Sequence, residues 1–98
     1  MTLQYLIFDA SDDGEGLGSW EAMASVHARD VPRVLAEIDA LVAAAEADRP
    51  GPCGPLDGGG AWDIDVQQST EGQWHTLNVT LAGPWDWGEA LLARLGAG

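Results

Sequence analysis

Trp62-Asp63-Ile64-Asp65-Val66-Gln67-Gln68-Ser69-Thr70-Glu71-Gly72-Gln73-Trp74-His75-Thr76-Leu77-Asn78-Val79-Thr80-Leu81 is the stretch that decides the fold class. Its first part alternates strictly, with Trp62, Ile64 and Val66 on one side and Asp63, Asp65 and Gln67 on the other. Period two is the mark of a half-buried strand. Ser69-Thr70-Glu71-Gly72 reads as a hairpin turn. Alternation then resumes from Trp74 to Leu81, with Leu77, Val79 and Leu81 inward. Two adjacent strands with one apolar face each define an antiparallel sheet that needs a cover.

The cover lies on both sides of this hairpin. Downstream, Gly83-Pro84 breaks the strand and a helix is expected from about Trp85 to Leu95, with Leu91, Leu92 and Leu95 as its buried side and Gly96 as its stop. Upstream, Arg49–Gly60 is dense in proline and glycine and reads as a linker or long surface loop. Before it, Val31, Val34, Leu35, Ile38, Leu41, Val42 and Ala45 recur at helical period. This predicts an amphipathic helix with Asp30 as N-cap and Pro32 in its first turn. Arg33, Glu37, Asp39 and Glu46 fall off the stripe, and Arg33 and Glu37 form an i,i+4 pair.

Further upstream, Trp20, Ala22, Ala24 and Val26 alternate with Glu21, Ser25 and His27, which predicts a strand over 19–28. The helix propensity of Glu-Ala-Met-Ala is the rival reading. Residues 3–10 are rich in β-formers and apolar on both faces, which predicts a strand central in its sheet. The order is ββα–loop–ββα within one domain spanning 1–98. The expected fold is α+β: a four-stranded antiparallel sheet with two helices on one face. A pseudo-twofold relating the halves predicts strand order 2-1-3-4. A ferredoxin-like βαββα variant is the alternative, with 19–28 helical or irregular.

The chain has 98 residues, with 4 Lys+Arg against 16 Asp+Glu, so the formal charge is 4 − 16 = −12. All four cations are arginine. With 46% apolar residues and a mean hydropathy of -0.06, such a chain folds despite its charge. A surface this acidic excludes nucleic-acid binding by counter-ion release, and anionic membranes repel it. The single cysteine, Cys53, excludes an intrachain disulfide framework and a cysteine-based zinc site. The N-terminal apolar run Tyr5–Phe8 lacks the length and basic start of a signal peptide, so the cytoplasm is the expected location.

Four features invite chemistry. Asp9, Ser11, Asp13 and Glu15 sit in a loop whose first half has the spacing of a calcium loop; the position of its closing bidentate carboxylate holds Trp20. Calcium is therefore the cofactor candidate, and otherwise none is expected. Gly14-Glu15-Gly16-Leu17-Gly18 misses the dinucleotide pattern, because Ser19 and Glu21 stand where the third glycine belongs. His27, His75 and Cys53 supply the ingredients of an enzyme, with His75 and Asp63 or Asp65 as an acid–base pair in a cleft beside the 49–60 loop. Finally, five tryptophans exceed what so small a core requires. Trp74 is out of phase with Leu77, and Trp85 and Trp87 cannot both face inward. With Asp86 at their rim they are candidate protein-binding residues. The expected function is a non-enzymatic protein-binding or regulatory module for a basic protein. A calcium- or small-ligand-binding domain is the alternative, and a small hydrolase ranks below both. A homodimer through the outer face or the edge strands is a further arrangement.

Overall fold

The computed structural model describes residues 3–96. Four strands, β1 (Asp9–Asp12), β2 (Leu17–His27), β3 (Asp63–Glu71) and β4 (Trp74–Pro84), form one sheet in the order β1-β2-β4-β3. All neighbours are antiparallel. Helix α1 (Val31–Ala47) follows β2 and helix α2 (Trp85–Arg94) follows β4. The fold is α+β with ββαββα order, and no helix among the described residues is long and apolar enough to cross a membrane.

Alternation sets the core. Trp20, Ala22, Ala24 and Val26 of β2 are buried, as are Leu77, Val79 and Leu81 of β4. The register pairs Trp20 with Leu81, Ala22 with Val79 and Ala24 with Leu77, so these residues share one side of the sheet. Both helices pack on β2 and β4. They bury Val34, Ile38, Leu41 and Ala45 of α1 and Leu91 and Leu92 of α2. Residues 17–27 are strand, which rules out the ferredoxin-like alternative. The Pro/Gly loop is tied by its own backbone: Ala61 donates to the Pro52 carbonyl at 2.8 Å and Gly54 to the Trp62 carbonyl at 2.9 Å.

Four expectations are corrected. The first concerns residues 3–8, which form no strand; the first strand is the short, fully exposed β1, at an edge and not at the centre. Leu3 and Leu6 are buried, yet Ile7 is 77% exposed. This segment finds its hydrogen bonds elsewhere. Glu37, the one buried charged residue among those described, is 4% exposed. Its carboxylate accepts from the amides of Gln4 at 2.8 Å, Tyr5 at 3.1 Å and Leu6 at 3.1 Å. Glu37 therefore lies on the buried side of α1, and no Arg33–Glu37 pair forms.

The second correction is the strand order. β2 pairs with β4 along its whole length, so the order is not 2-1-3-4. Third, Asp30 makes no side-chain cap. It closes a 3-10 turn with helical backbone angles, whereas an N-cap is usually extended. Its carboxylate lies 3.9 Å from both Arg29 and Arg33. Fourth, the hairpin turn is shorter than expected. The ladder runs on to Glu71 opposite Trp74, leaving only Gly72 and Gln73 as the turn.

Four of the tryptophans gather where α2 meets the sheet. Trp20 and Trp85 stack with centroids 5.5 Å apart, and Trp62 and Trp87 tilt together at 5.7 Å. Three glycines, Gly18, Gly83 and Gly88, make the room, and a Cβ on Gly18 would lie 2.6 Å from the Trp85 ring. A Cβ on Gly83 would lie 2.8 Å from the Trp87 ring, and one on Gly88 would enter the buried Trp20 ring. Two of the polar edges are also used, while the buried Trp62 Nε1 has no partner among the described residues. Trp20 Nε1 donates to Glu89 at 2.9 Å, and Trp87 Nε1 donates to the Asp48 carbonyl at 2.8 Å, joining α2 to the end of α1.

Removing the Glu37 carboxylate strands three amides. Glu37→Ala is expected to lower unfolding stability by about 3 kcal/mol. Glu37→Gln, which keeps one acceptor oxygen, should lose less. Denaturant midpoints and exchange of the Gln4, Tyr5 and Leu6 amides check this. Gly88→Ala is expected to cost about 2 kcal/mol, because overpacking against Trp20 outweighs the helix propensity gained. Its thermal midpoint and near-ultraviolet tryptophan signal report the outcome.

Candidate functional site

The side of the sheet away from the helices is open. Its side chains come from the odd-numbered positions of β1, β2 and β3 and the even-numbered positions of β4, as pleating requires. Register arranges them in rows across the strands. One row runs Asp9, Glu21, Thr80, Asp65. The next runs Met23, Asn78, Gln67, followed by Ser25, Thr76, Ser69 and then His27, Trp74, Glu71. On the other side of the acidic row lie Ser11, Ser19, Ala82 and Asp63.

The first of these rows is unusual in its charge. Asp9, Glu21 and Asp65 are all exposed, and Asp9 sits directly opposite Glu21. Like charges in that relation destabilise a sheet. No arginine answers them, because Arg29, Arg33, Arg49 and Arg94 all lie outside the strands. Arg94 pairs with Asp48 at 3.3 Å. The Arg33 guanidinium is raised above its ordinary pKa by a hydrogen bond and charge interaction with Tyr5, and then by the Asp30 carboxylate. Arg33 and Arg94 are thus engaged away from the acidic row.

Apolar surface interrupts the face at several points, Leu17 and Met23 of β2 and Trp74 of β4 among them, with the exposed Ile7 beside Met23. Met23 is 63% exposed and Trp74 50%. Trp74 lies against the His27 ring with centroids 4.3 Å apart. His27, Ala28, Arg29, Gly72, Gln73 and His75 line an open recess beside this stack. His75 Nδ1 lies 3.3 Å from the Thr70 hydroxyl. Both histidines thus lie at the hairpin end of the sheet, His27 on its open side and His75 on its helix side, which their separation of 48 positions in the chain (75 − 27) does not suggest.

The expected site residues are distributed as follows. Trp74 stands at one end of β4, while Trp85, Asp86 and Trp87 follow its other end. About 30 Å of strand separates them, so they form two surfaces. Trp85 and Trp87 are half-buried in the aromatic cluster, and Asp86 is exposed. Asp9 and Ser11 lie on the open face in β1. Asp13 is occupied by the loop, accepting from the amides of Glu15 at 2.7 Å and Leu17 at 3.0 Å. Asp12 likewise accepts from Gly14 at 2.8 Å. These bonds shape the turn that Glu15 occupies. Among the described residues, no group of three or more His, Cys, Asp or Glu gathers as a metal site would require. His75 lies on the helix side of the sheet, opposite Thr70, whereas Asp63 and Asp65 lie on the open side toward the far end. Cys53 is exposed and bridges to Trp62, remote from both histidines.

Sequence reasoning recovered Asp63, Asp65 and Gln67 on the outer face. It missed the alignment of Asp9 and Glu21 with Asp65, and the Trp74–His27 stack, because both depend on register. Comparison with protein-family models, curated proteins and solved structures finds no match for this chain.

Relief of the Asp9–Glu21 opposition is measurable. Glu21→Gln is expected to raise stability by about 0.5 kcal/mol at low salt, a shift of roughly 2–4 °C in thermal midpoint. The gain should shrink at high salt as screening sets in. A loss of stability at low salt would contradict the assignment.

Proposed function

We propose that this chain is a non-enzymatic protein-binding module whose open sheet face receives a basic protein. The observation that carries the reading is the row Asp9, Glu21, Thr80, Asp65, an exposed line of carboxylates without a cation, one of them directly opposed to another. A basic surface laid on this row removes a repulsion that the free protein bears. It also gains long-range attraction from a chain of charge -12. Met23 and Trp74, exposed within the same face, supply apolar contact beside the charge. A side chain such as Trp74 is the type that anchors interfaces. Nucleic acid and anionic membranes are not the partners in this reading, because they carry the same sign of charge. The reading sets the module in the cytoplasm, where the free exposed thiol of Cys53 stays reduced.

Affinity capture from lysate at low and moderate salt tests the reading. The expected result is a basic protein retained at low salt and shed at moderate salt. The triple variant Asp9→Asn, Glu21→Gln, Asp65→Asn is expected to lose it. Retention indifferent to salt, or unchanged in the triple variant, counts against the proposal.

A further inference from the structure

We infer that strand β3 is where an extended basic segment of the partner docks, adding itself to the sheet as a further strand. This deepens the basic-partner reading above and rests on it. β3 is a terminal strand of nine residues, whereas the opposite edge, β1, has four. Natural edges of such length are blunted by charged side chains, above all lysine, by proline, by a bulge or by a covering loop. The only charges on β3 are the carboxylates Asp63, Asp65 and Glu71, which repel an acidic strand and attract a basic one. Asp63–Glu71 contains neither lysine nor proline, and it pairs with β4 one residue for one, without a bulge. The Pro/Gly loop makes its last backbone contacts at Trp62, immediately before the strand.

Hydrogen-bond parity follows from the turn. In a hairpin with a two-residue turn the closing pair, here Glu71 and Trp74, exchanges bonds within the ladder. Odd-numbered residues of β3 therefore bond inward to β4. Ile64, Val66, Gln68 and Thr70 turn their amides and carbonyls outward. The Ile64 amide agrees with this, since it donates to the Asp63 carboxylate at 2.9 Å. Among the described residues, no side chain or loop backbone group bonds the amides of Val66, Gln68 and Thr70.

Side chains then select the occupant. An added antiparallel strand places its residues opposite those of β3, alternating between the two sides of the sheet. On the open side it meets Asp63, Asp65 and Glu71; on the helix side it meets Ile64 and Val66, the latter 42% exposed. Lysine or arginine at alternate positions, with apolar residues between, fits both sides. A second copy of this chain does not. Pairing two β3 strands about Gln67 sets Asp63 against Glu71 twice, and every register brings together two molecules of charge -12 each.

The test uses two synthetic peptides of β3's length and equal composition: one alternates lysine and valine, the other groups them in blocks. Binding is followed by amide exchange and titration at low salt. The alternating peptide is expected to bind roughly tenfold tighter than the block peptide and to slow exchange at Val66, Gln68 and Thr70. Val66→Pro removes one outward amide at an edge position where proline is tolerated, and should weaken the alternating peptide by roughly tenfold. Glu46→Gln, an exposed position of α1 away from both the open face and the β3 edge, should keep the exchange protection. Equal binding of both peptides, or full binding to Val66→Pro, overturns edge docking and leaves the basic-partner reading standing. Absence of binding by either peptide overturns both. A dimer in sedimentation that Val66→Pro dissolves assigns the edge to a second copy and overturns the inference.

Discussion

The rest of the structure depends on one buried carboxylate. Glu37 gathers the amides of Gln4, Tyr5 and Leu6 and holds the start of the chain against α1. That position lets Leu3 and Leu6 close the core, and it brings the Leu3 amide to the carbonyl of Leu95 at the end of α2. A buried carboxylate is costly unless several donors meet it. Here three backbone donors do so, and their own need for partners is met in the same act. A segment that reads as a strand thereby becomes a strap across the helices. The central position that its sequence pattern claimed goes to β2 and β4, and β1 takes an edge.

This displacement explains why the sheet remains open on one side. The helices and the strap all lie over β2 and β4 from the same direction, and β3 extends beyond them. From Asp65 to Glu71 its residues are exposed on both sides. The carboxylates on the uncovered side are thus a consequence of packing as well as of composition. Apolar residues at those positions would have had nothing to cover them. The four clustered tryptophans do the opposite work at the far end, where they fill a wide junction between α2 and the sheet that three glycines leave empty.

Periodicity made most of the architecture legible. β2, β3, β4 and both helices follow from alternation or from the helical stripe, because each buries one side and the pattern records it. Two things left no such record. Glu37 looked solvent-facing because it is charged, and no local pattern says that a carboxylate will bind chain more than thirty positions away. β1 consists of Asp9, Ala10, Ser11 and Asp12, all exposed, and so carries no burial pattern to read. The candidate face was legible in part. Alternation put Asp63 and Asp65 outside, but which residues stand beside them is a matter of register. The pairing of β2 with β4 spans α1 and the loop, and nothing local encodes it.

That central pairing has a kinetic consequence. Helix α1 and the β3–β4 hairpin are built from near neighbours in sequence, and such elements form in microseconds. The β2–β4 ladder joins His27 to Trp74 and Leu17 to Pro84, and so must close much longer loops. Loop closure therefore favours the hairpin over the ladder, and the hairpin by itself has both of its edges uncovered. β2 then seals β4, and β3 stays as it was. The edge that remains in the native protein is the one side of the hairpin that no long-range pairing covers.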